Sequence, residues 1–330
     1  MLSIIAANYN KEDVLIDYFD SIYSNGFDDF ELIFVDDCST DSSVSIAERF
    51  PCEIIRNDSN LGPAVSRNLA AERANGDVLV FTDTDITIDP GGLELINRRF
   101  TRDGIKVMFG KLAFPPLRNT GIGRYWLYEE EEACRYGGVR TGMVNCWSST
   151  LGAIERVLFQ SIGGFNESFK GADIEDHELA AKILQYHQVF YDEELTFHHY
   201  YPGTWLVLKK MFIRSKMFAR STSIKVYKEH SWVSRHRNSG YLFSALITVL
   251  LAALPLSILF FSSAAGWISC SLLILLLIKV THHRLLLKAA FQKDSPFFSI
   301  YCFLLLYLTS LFAMTGFAVG LLKGKDTANE

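Results

Sequence analysis

Apolar positions follow two regimes along this chain. Up to about residue 240 they come in short runs separated by charged and turn residues. Leu2 to Ala7 and Glu31 to Val35 read as buried strands followed by turn signals, and Asp13 to Tyr23 between them carries apolar side chains at helical spacing. The alternation repeats with a strand at Glu53 to Arg56, a helix through Ala64 to Ala74 and a strand at Val78 to Phe81. It predicts an α/β domain with a Rossmann-like, mostly parallel sheet and helices on its faces. Ligands bind such sheets beyond the carboxyl ends of the strands. Asn8-Tyr9-Asn10, Asp36-Asp37 and Asp83 with Asp85 all fall at those ends, so three polar clusters are expected on one rim.

Beyond residue 240 the apolar runs lengthen. Tyr241 to Phe261 holds no charged residue, and at about 1.5 Å per residue it reaches the roughly 30 Å thickness of a bilayer core. Gly266 to Val280 is shorter and broken by Lys279, and Phe297 to Leu322 is long and uncharged. The division expected is a domain over 1–203, interfacial helices over 204–240, spans at about 241–261, 264–280 and 297–322, and a tail over 323–330. In the interfacial stretch Trp205, Leu208 and Phe212 share a helical face, with Lys209, Lys210, Arg214, Lys216 and Arg220 largely elsewhere. A basic amphipathic segment beside a span suits an anionic lipid surface, the alternative being a plain solvated face.

No signal-like segment precedes Leu2, so the N-terminal domain is expected in the cytoplasm, anchored in the inner (plasma) membrane of a bacterium. Arg235 and Arg237, then Arg284, Lys288 and Lys293, agree with this by the positive-inside rule. Lys323 and Lys325 would lie outside if the third segment crosses, which leaves that segment's topology open. Charge is ordinary, with a net of −5, and no nucleic acid is expected among the partners. Six cysteines without a Cys-x-x-Cys argue for neither a zinc site nor a disulfide framework. The run Glu129 to Glu132 reads as an exposed helix face.

Candidate chemistry begins with Thr82-Asp83-Thr84-Asp85, where a buried strand delivers two carboxylates to a sheet edge. Unpaired buried carboxylates are costly, and hard divalent cations prefer oxygen ligands. A solvated turn is the competing reading, since Asp is common in turns. Asp37 could accept the imide hydrogen of a uracil while Tyr9 offers a stacking face, although Ser39 or Asp41 would also cap a helix here. Arg67, one turn into a helix after Gly62-Pro63, suits a nucleotide or an acidic rim partner. Gly163-Gly164-Phe165 is followed by Asp173, Glu175, Asp176 and Glu178 at a helix start. Capping is one account of these carboxylates, and a general base made by their mutual repulsion is the other.

In this order the motifs resemble the family-2 inverting glycosyltransferases with the GT-A fold, over roughly Leu2 to His199. The resemblance implies that Tyr9 and Asp37 hold the uracil of a UDP-sugar, that Arg67 braces the nucleotide and that Asp83 faces ribose or metal. It further implies Asp85 as ligand to Mn²⁺ or Mg²⁺, His198 or His199 as a completing ligand, Asp176 as catalytic base, and Glu175 and Trp205 as acceptor contacts. The Gln-x-x-Arg-Trp of processive polysaccharide synthases is reduced here to the tryptophan of Tyr201-Pro202-Gly203-Thr204-Trp205, which argues against polymer extrusion.

The expected reaction moves a sugar from a nucleotide-sugar to a hydroxyl of a glycolipid or lipid-linked saccharide. The nearest rival resembles dolichyl-phosphate mannose synthase, whose anionic polyprenyl-phosphate acceptor needs no base. A non-enzymatic binding module is disfavoured by the carboxylate set, and a transporter by spans that hold almost no ionisable residue other than Lys279 near one end.

Overall fold

The computed structural model describes residues 1–137, 140–169, 171, 174–220, 241–251, 253–255 and 262–322. The chain divides into two compact units, the first centred on residues 1–123 and 139–201, the second on 124–138 and the helices after residue 202.

The first unit is built on one mixed sheet. Its elements are β1 (Leu2–Asn8), α1 (Leu15–Tyr23), β2 (Phe30–Asp36), α2 (Ser43–Ala47), β3 (Glu53–Arg56), α3 (Pro63–Arg73), β4 (Val78–Asp83), β5 (Ile86–Ile88), α4 (Gly92–Thr101) and β6 (Val107–Leu112). After α5 (Gly121–Gly137) come β7 (Gly142–Val144), β8 (Leu151–Glu155), α6 (Arg156–Ser161), α7 (Glu175–Ile183) and β9 (Val189–His199). The strand order is β3-β2-β1-β4-β8-β6-β9-β5, with β7 paired to β9. The first four are parallel, as the alternating pattern predicts, with Asn8 opposite Asp36 and Ala7 opposite Asp83. β8 then enters antiparallel between β4 and β6 and makes the sheet mixed.

β1 and β4 are nearly continuous apolar runs because helices cover both faces of the sheet. On one side Tyr18, Phe19 and Ile22 of α1 bury into the core, and Phe19 stacks on Phe50 at 4.3 Å. On the other, Phe81 meets Trp147 and Phe165 edge-on. From β1 the chain runs outward through β2 to β3, then crosses back to place β4 on the other side of β1, so β1 and β4 flank the switch point where α/β sheets bind ligands.

The second unit holds α5, α8 (Thr204–Arg220), α9 (Tyr241–Pro255), α10 (Ser262–His282), α11 (Arg284–Lys293) and α12 (Pro296–Leu322). Among the described residues, α12 is the one helix that by itself is long and apolar enough to cross a membrane; α10 and α11 pass together, bent by 69° at their break. Arg235, Arg237, Lys323, Lys325 and part of the first expected span lie outside the described residues.

The acidic run of α5 departs from the expected exposed face. Glu129 and Glu132 are buried, while Glu131 pairs with Arg135 and Lys293. Glu132 accepts from the backbone N–H of Leu286 at 3.0 Å and sits 2.7 Å from His283 Nδ1, so it caps the start of α11. At the far end of α11, Tyr128 donates to Asp294 at 2.7 Å. Packing of α5 on other helices turns half of a run that composition alone would place in water.

Candidate active site

The Asp83–Asp85 corner is fixed by backbone and side chains together. Asp83 N–H donates to the Thr150 carbonyl, and the Asp85 carbonyl accepts from Tyr200 N–H. Between them Thr84 turns inward and donates to Asn8 Oδ1 at 3.0 Å, while Asn8 reaches Asp36 and Ser39. The ends of β1, β2 and β4 are therefore locked into one polar rim.

Three predicted residues meet there. Asp83, Asp85 and His199 each offer a ligand atom, all within 4.8 Å of one another. β5 and β9 cause this: their antiparallel register sets His199 opposite Ile86, directly beside the corner. His199 Nε2 lies 3.4 Å from Asp85 Oδ1. His198, one residue earlier, turns to Asp89 and the Pro115 carbonyl instead. Strand alternation thus turns His199, and not His198, toward the Asp83–Asp85 corner. Two carboxylate oxygens and an imidazole nitrogen form a donor set that fits Mn²⁺ or Mg²⁺.

Arg67 extends the cluster. Its buried guanidinium spans Asp83 at 2.8 Å and Glu175 at 3.0 Å and lies over the Phe165 ring. Burial disfavours the charge, but Asp83, Glu175 and Asp176 outweigh it and hold the pKa above the ordinary arginine value. Glu175 is buried in this pair, whereas its neighbour Asp176 is half-exposed at the start of α7. The Gly-Gly-Phe motif docks the preceding loop on α3, where Asn68 exchanges hydrogen bonds with the Phe165 backbone in both directions. A Cβ on Gly164, which has φ +59, would lie 2.7 Å from Asn68 Oδ1, so this docking requires glycine. Asp173 lies outside the described residues.

On the other side of the rim Tyr9 is 47% exposed. Asp37 is buried, accepting from Leu61 N–H, Gly62 N–H and Asn57 at 2.8 Å each. It shapes the turn that launches α3. Trp205 belongs to the second unit, exposed at the start of α8 and edge-on to Phe312.

Lys11 is the site residue that the sequence motifs leave out. Its ammonium is ion-paired with Asp85 Oδ2. Burial opposes that charge, but Asp85 outweighs it, with smaller help from Asp83, and the pKa stands above the ordinary lysine value. A cation three residues past the end of β1 was the available signal.

Residues 3–153 match the family model described as Glycosyl transferase family 2. These residues carry a glycosyl transferase family 2 domain. Relatives include an uncharacterized glycosyltransferase of Haemophilus influenzae, 29% identical over 189 residues, which are 56% of this chain and 62% of that protein. Glycosyltransferase GlyG of Streptococcus pneumoniae is 23% identical over 272 residues, covering 78% of this chain and 84% of its own. The match therefore spans less than two thirds of the Haemophilus protein.

Mannosyltransferase PcManGT from Pyrobaculum calidifontis, solved with GDP-Man and Mn²⁺, has a TM-score of 0.62 at 15% identity and covers 98% of this chain and 87% of that one. Staphylococcus aureus TarS 1-349, solved with UDP, scores 0.51 at 16% identity, covering 89% of this chain and 92% of that one. At these identities the likeness is one of fold, and the sheet has the expected GT-A architecture.

Proposed function

We propose that this family-2 glycosyltransferase moves a sugar, with inversion, from a UDP-sugar to a hydroxyl of a membrane-associated glycolipid or lipid-linked saccharide. The observation that carries the reading is the grouping of Asp83, Asp85 and His199 at the switch point, with Arg67 linking it to the Glu175-Asp176 pair. Tyr9 supplies the stacking face for the base. Asp37 accepts three hydrogen bonds within the protein, which leaves one of a carboxylate's roughly four acceptor positions for an imide N–H.

Asp85, Asp83 and His199 would hold Mn²⁺ or Mg²⁺, which supplies charge stabilisation to the departing diphosphate. Arg67 orients Asp83 through a charge-assisted bond. Glu175 anchors the other arm of Arg67 and so fixes the first turn of α7. Asp176, on that turn and half-exposed, takes the proton of the acceptor hydroxyl as the hydroxyl attacks. A membrane-borne acceptor suits a chain whose C-terminal helix is long and apolar enough for a bilayer, and homologues that include a putative teichuronic acid biosynthesis enzyme, TuaG of Bacillus subtilis.

The deciding experiment incubates the full chain with membrane lipid extract, Mn²⁺ and a panel of UDP- and GDP-sugars, and reads products by mass spectrometry. Transfer from a UDP-sugar to a lipid-linked hydroxyl is expected. Product formed on polyprenyl phosphate would replace this acceptor assignment, and exclusive use of GDP-sugars would overturn the uracil reading. A chain that neither transfers nor hydrolyses any donor would overturn the enzymatic one.

A further inference from the structure

α10 presents an exposed apolar stripe that runs into a cation. Ile274, Leu277 and Ile278 are 57%, 58% and 40% exposed, and at spacings of three and four they share one helical face. Together with Phe243 of α9 and Tyr136 of α5 they line an open groove of about 480 Å³, whose lining continues through Thr281 and His282 to Arg284. From Ile274 to His282 the stripe is about 12 Å long, most of the roughly 15 Å depth of one leaflet's hydrocarbon. His282 forms an aromatic platform near the Arg284 end. Its ring lies within 12° of parallel to Tyr136 at 6.3 Å and edge-on to Phe243 at 5.5 Å.

Charge is confined to that end. The chain bends by 69° between α10 and α11, and Arg284 is the first residue beyond the break. It is exposed, and among the described residues no acidic side chain pairs with it. Lys288, exposed one turn further along the same face, is also without an acidic partner there. The carboxylates that α5 turns toward α11 serve other groups: Glu131 holds Arg135 and Lys293, and Glu132 holds His283 and the Leu286 N–H. The Glu132 contacts also fix the bend, so the Arg284 backbone is set before any ligand arrives. Thr281 donates its hydroxyl hydrogen to the Leu277 carbonyl at 2.8 Å, which leaves the guanidinium as the charged donor in the groove. A guanidinium suits a phosphate through two parallel hydrogen bonds, and the stripe suits hydrocarbon. A soluble anion would leave the stripe in water, and an uncharged lipid would leave the cation unmatched.

We propose that this groove binds one anionic phospholipid, with its phosphate on Arg284 and an acyl chain along Ile274, Leu277 and Ile278. The site rests on the membrane association proposed above and is independent of donor chemistry. Native mass spectrometry of the full chain in nonionic detergent, with phosphatidylglycerol, phosphatidylcholine or glycerol 3-phosphate added, tests it. Wild type should retain one phosphatidylglycerol, held about tenfold more tightly than phosphatidylcholine, and Arg284→Gln should lose that preference. Leu277→Trp, which fills the groove and keeps the cation, should release the lipid as well. Both positions are exposed, so neither substitution disturbs a packed core. Equal retention of the two lipids, or phosphatidylglycerol retention unchanged in either variant, would overturn the site. Glycerol 3-phosphate bound as tightly as the lipid would make it a free-phosphate site, a lipid-free dimer would assign the groove to a second copy, and preference for an added polyprenyl phosphate would assign it to that lipid; each overturns the proposal. Flotation with phosphatidylcholine vesicles separates the two readings. Chain that does not float overturns the membrane association and this site with it, whereas chain that floats but shows no phosphatidylglycerol preference overturns the lipid site alone.

Discussion

Lys11 forms an ion pair with Oδ2 of Asp85, the same carboxylate whose other oxygen faces His199 at 3.4 Å. The ammonium thus sits against one of the three residues proposed to hold the divalent cation. Lys11→Met is expected to bind Mn²⁺ about tenfold more tightly in the absence of donor, the equivalent of roughly 1.4 kcal/mol of relieved competition. With the nucleotide-sugar present the same variant should bind donor less well, because methionine offers the diphosphate no ammonium. Calorimetry with Mn²⁺ alone and then with UDP separates the effects; unchanged Mn²⁺ affinity would refute the competition.

Arg67 bridges Asp83 and Glu175 through separate nitrogens. A lysine is a point charge and cannot hold two carboxylates in that planar geometry. Arg67→Lys should lower kcat/KM by about 10²-fold or more, since misplaced positioning groups cost that much. Lys at this position also leaves a buried carboxylate poorly paired, so melting should drop by several degrees. Wild-type kinetics in Arg67→Lys would remove the bridge from the proposed mechanism.

Asp176→Asn keeps the shape of α7 but removes the proposed proton acceptor. Loss of a general base typically costs about 10²–10⁴-fold. Transfer to a hydroxyl acceptor should fall by that factor while UDP affinity stays within about twofold of wild type. Equal loss of donor binding would assign Asp176 to the donor site instead.

Much of this architecture is legible in the sequence for a physical reason. β1, β2 and β4 are buried on both faces, so their continuous apolar runs and polar ends show where each strand stops and hence where the rim lies. The Asp83–Asp85 corner follows from that. The His198–His199 choice does not, because it depends on the β5–β9 register, a pairing between segments far apart in sequence. Lys11 was missed because a single lysine after a strand has no pattern, and its meaning comes from Asp85, brought close by the β1–β4 pairing. Glu132 escaped for the converse reason: four consecutive glutamates look solvated until the helices they cap are known.

Glu31 gives the first unit an acid limit. Its carboxylate accepts from Ser3 at 2.6 Å, from the Asn75 side chain at 2.9 Å and from the backbone of Asn75 and Gly76, tying β1 and β2 to the turn before β4. Burial works to raise its pKa, but the hydrogen bonds prevail and the value lies below the ordinary 4.5. A lowered folded-state pKa means the stabilisation is present above the unfolded value and lost as pH falls through the folded one. Glu31→Gln should cost about 1–2 kcal/mol at pH 7, and its deficit should shrink below about pH 4 as the wild-type carboxylate protonates. Thermal unfolding in detergent between pH 3 and 7 checks this; a constant deficit would contradict the linkage.

Glu132 joins α5 to the start of α11, accepting from Leu286 N–H and meeting His283 Nδ1, with both side chains nearly inaccessible to water. Alanine there strands a buried imidazole and a helix-start N–H together. The cost of leaving such donors unmet is about 1–3 kcal/mol for each group, so Glu132→Ala should destabilise the second unit by roughly that amount or more. Glu132→Gln keeps an acceptor for Leu286 but weakens the contact with His283, and should lie between the two. The residues proposed to hold donor and metal lie in the first unit, so UDP and Mn²⁺ binding should survive in both variants while limited proteolysis of the C-terminal helices accelerates. Loss of nucleotide binding in Glu132→Gln, with proteolysis unchanged, would show that this pair serves the site rather than the helical unit.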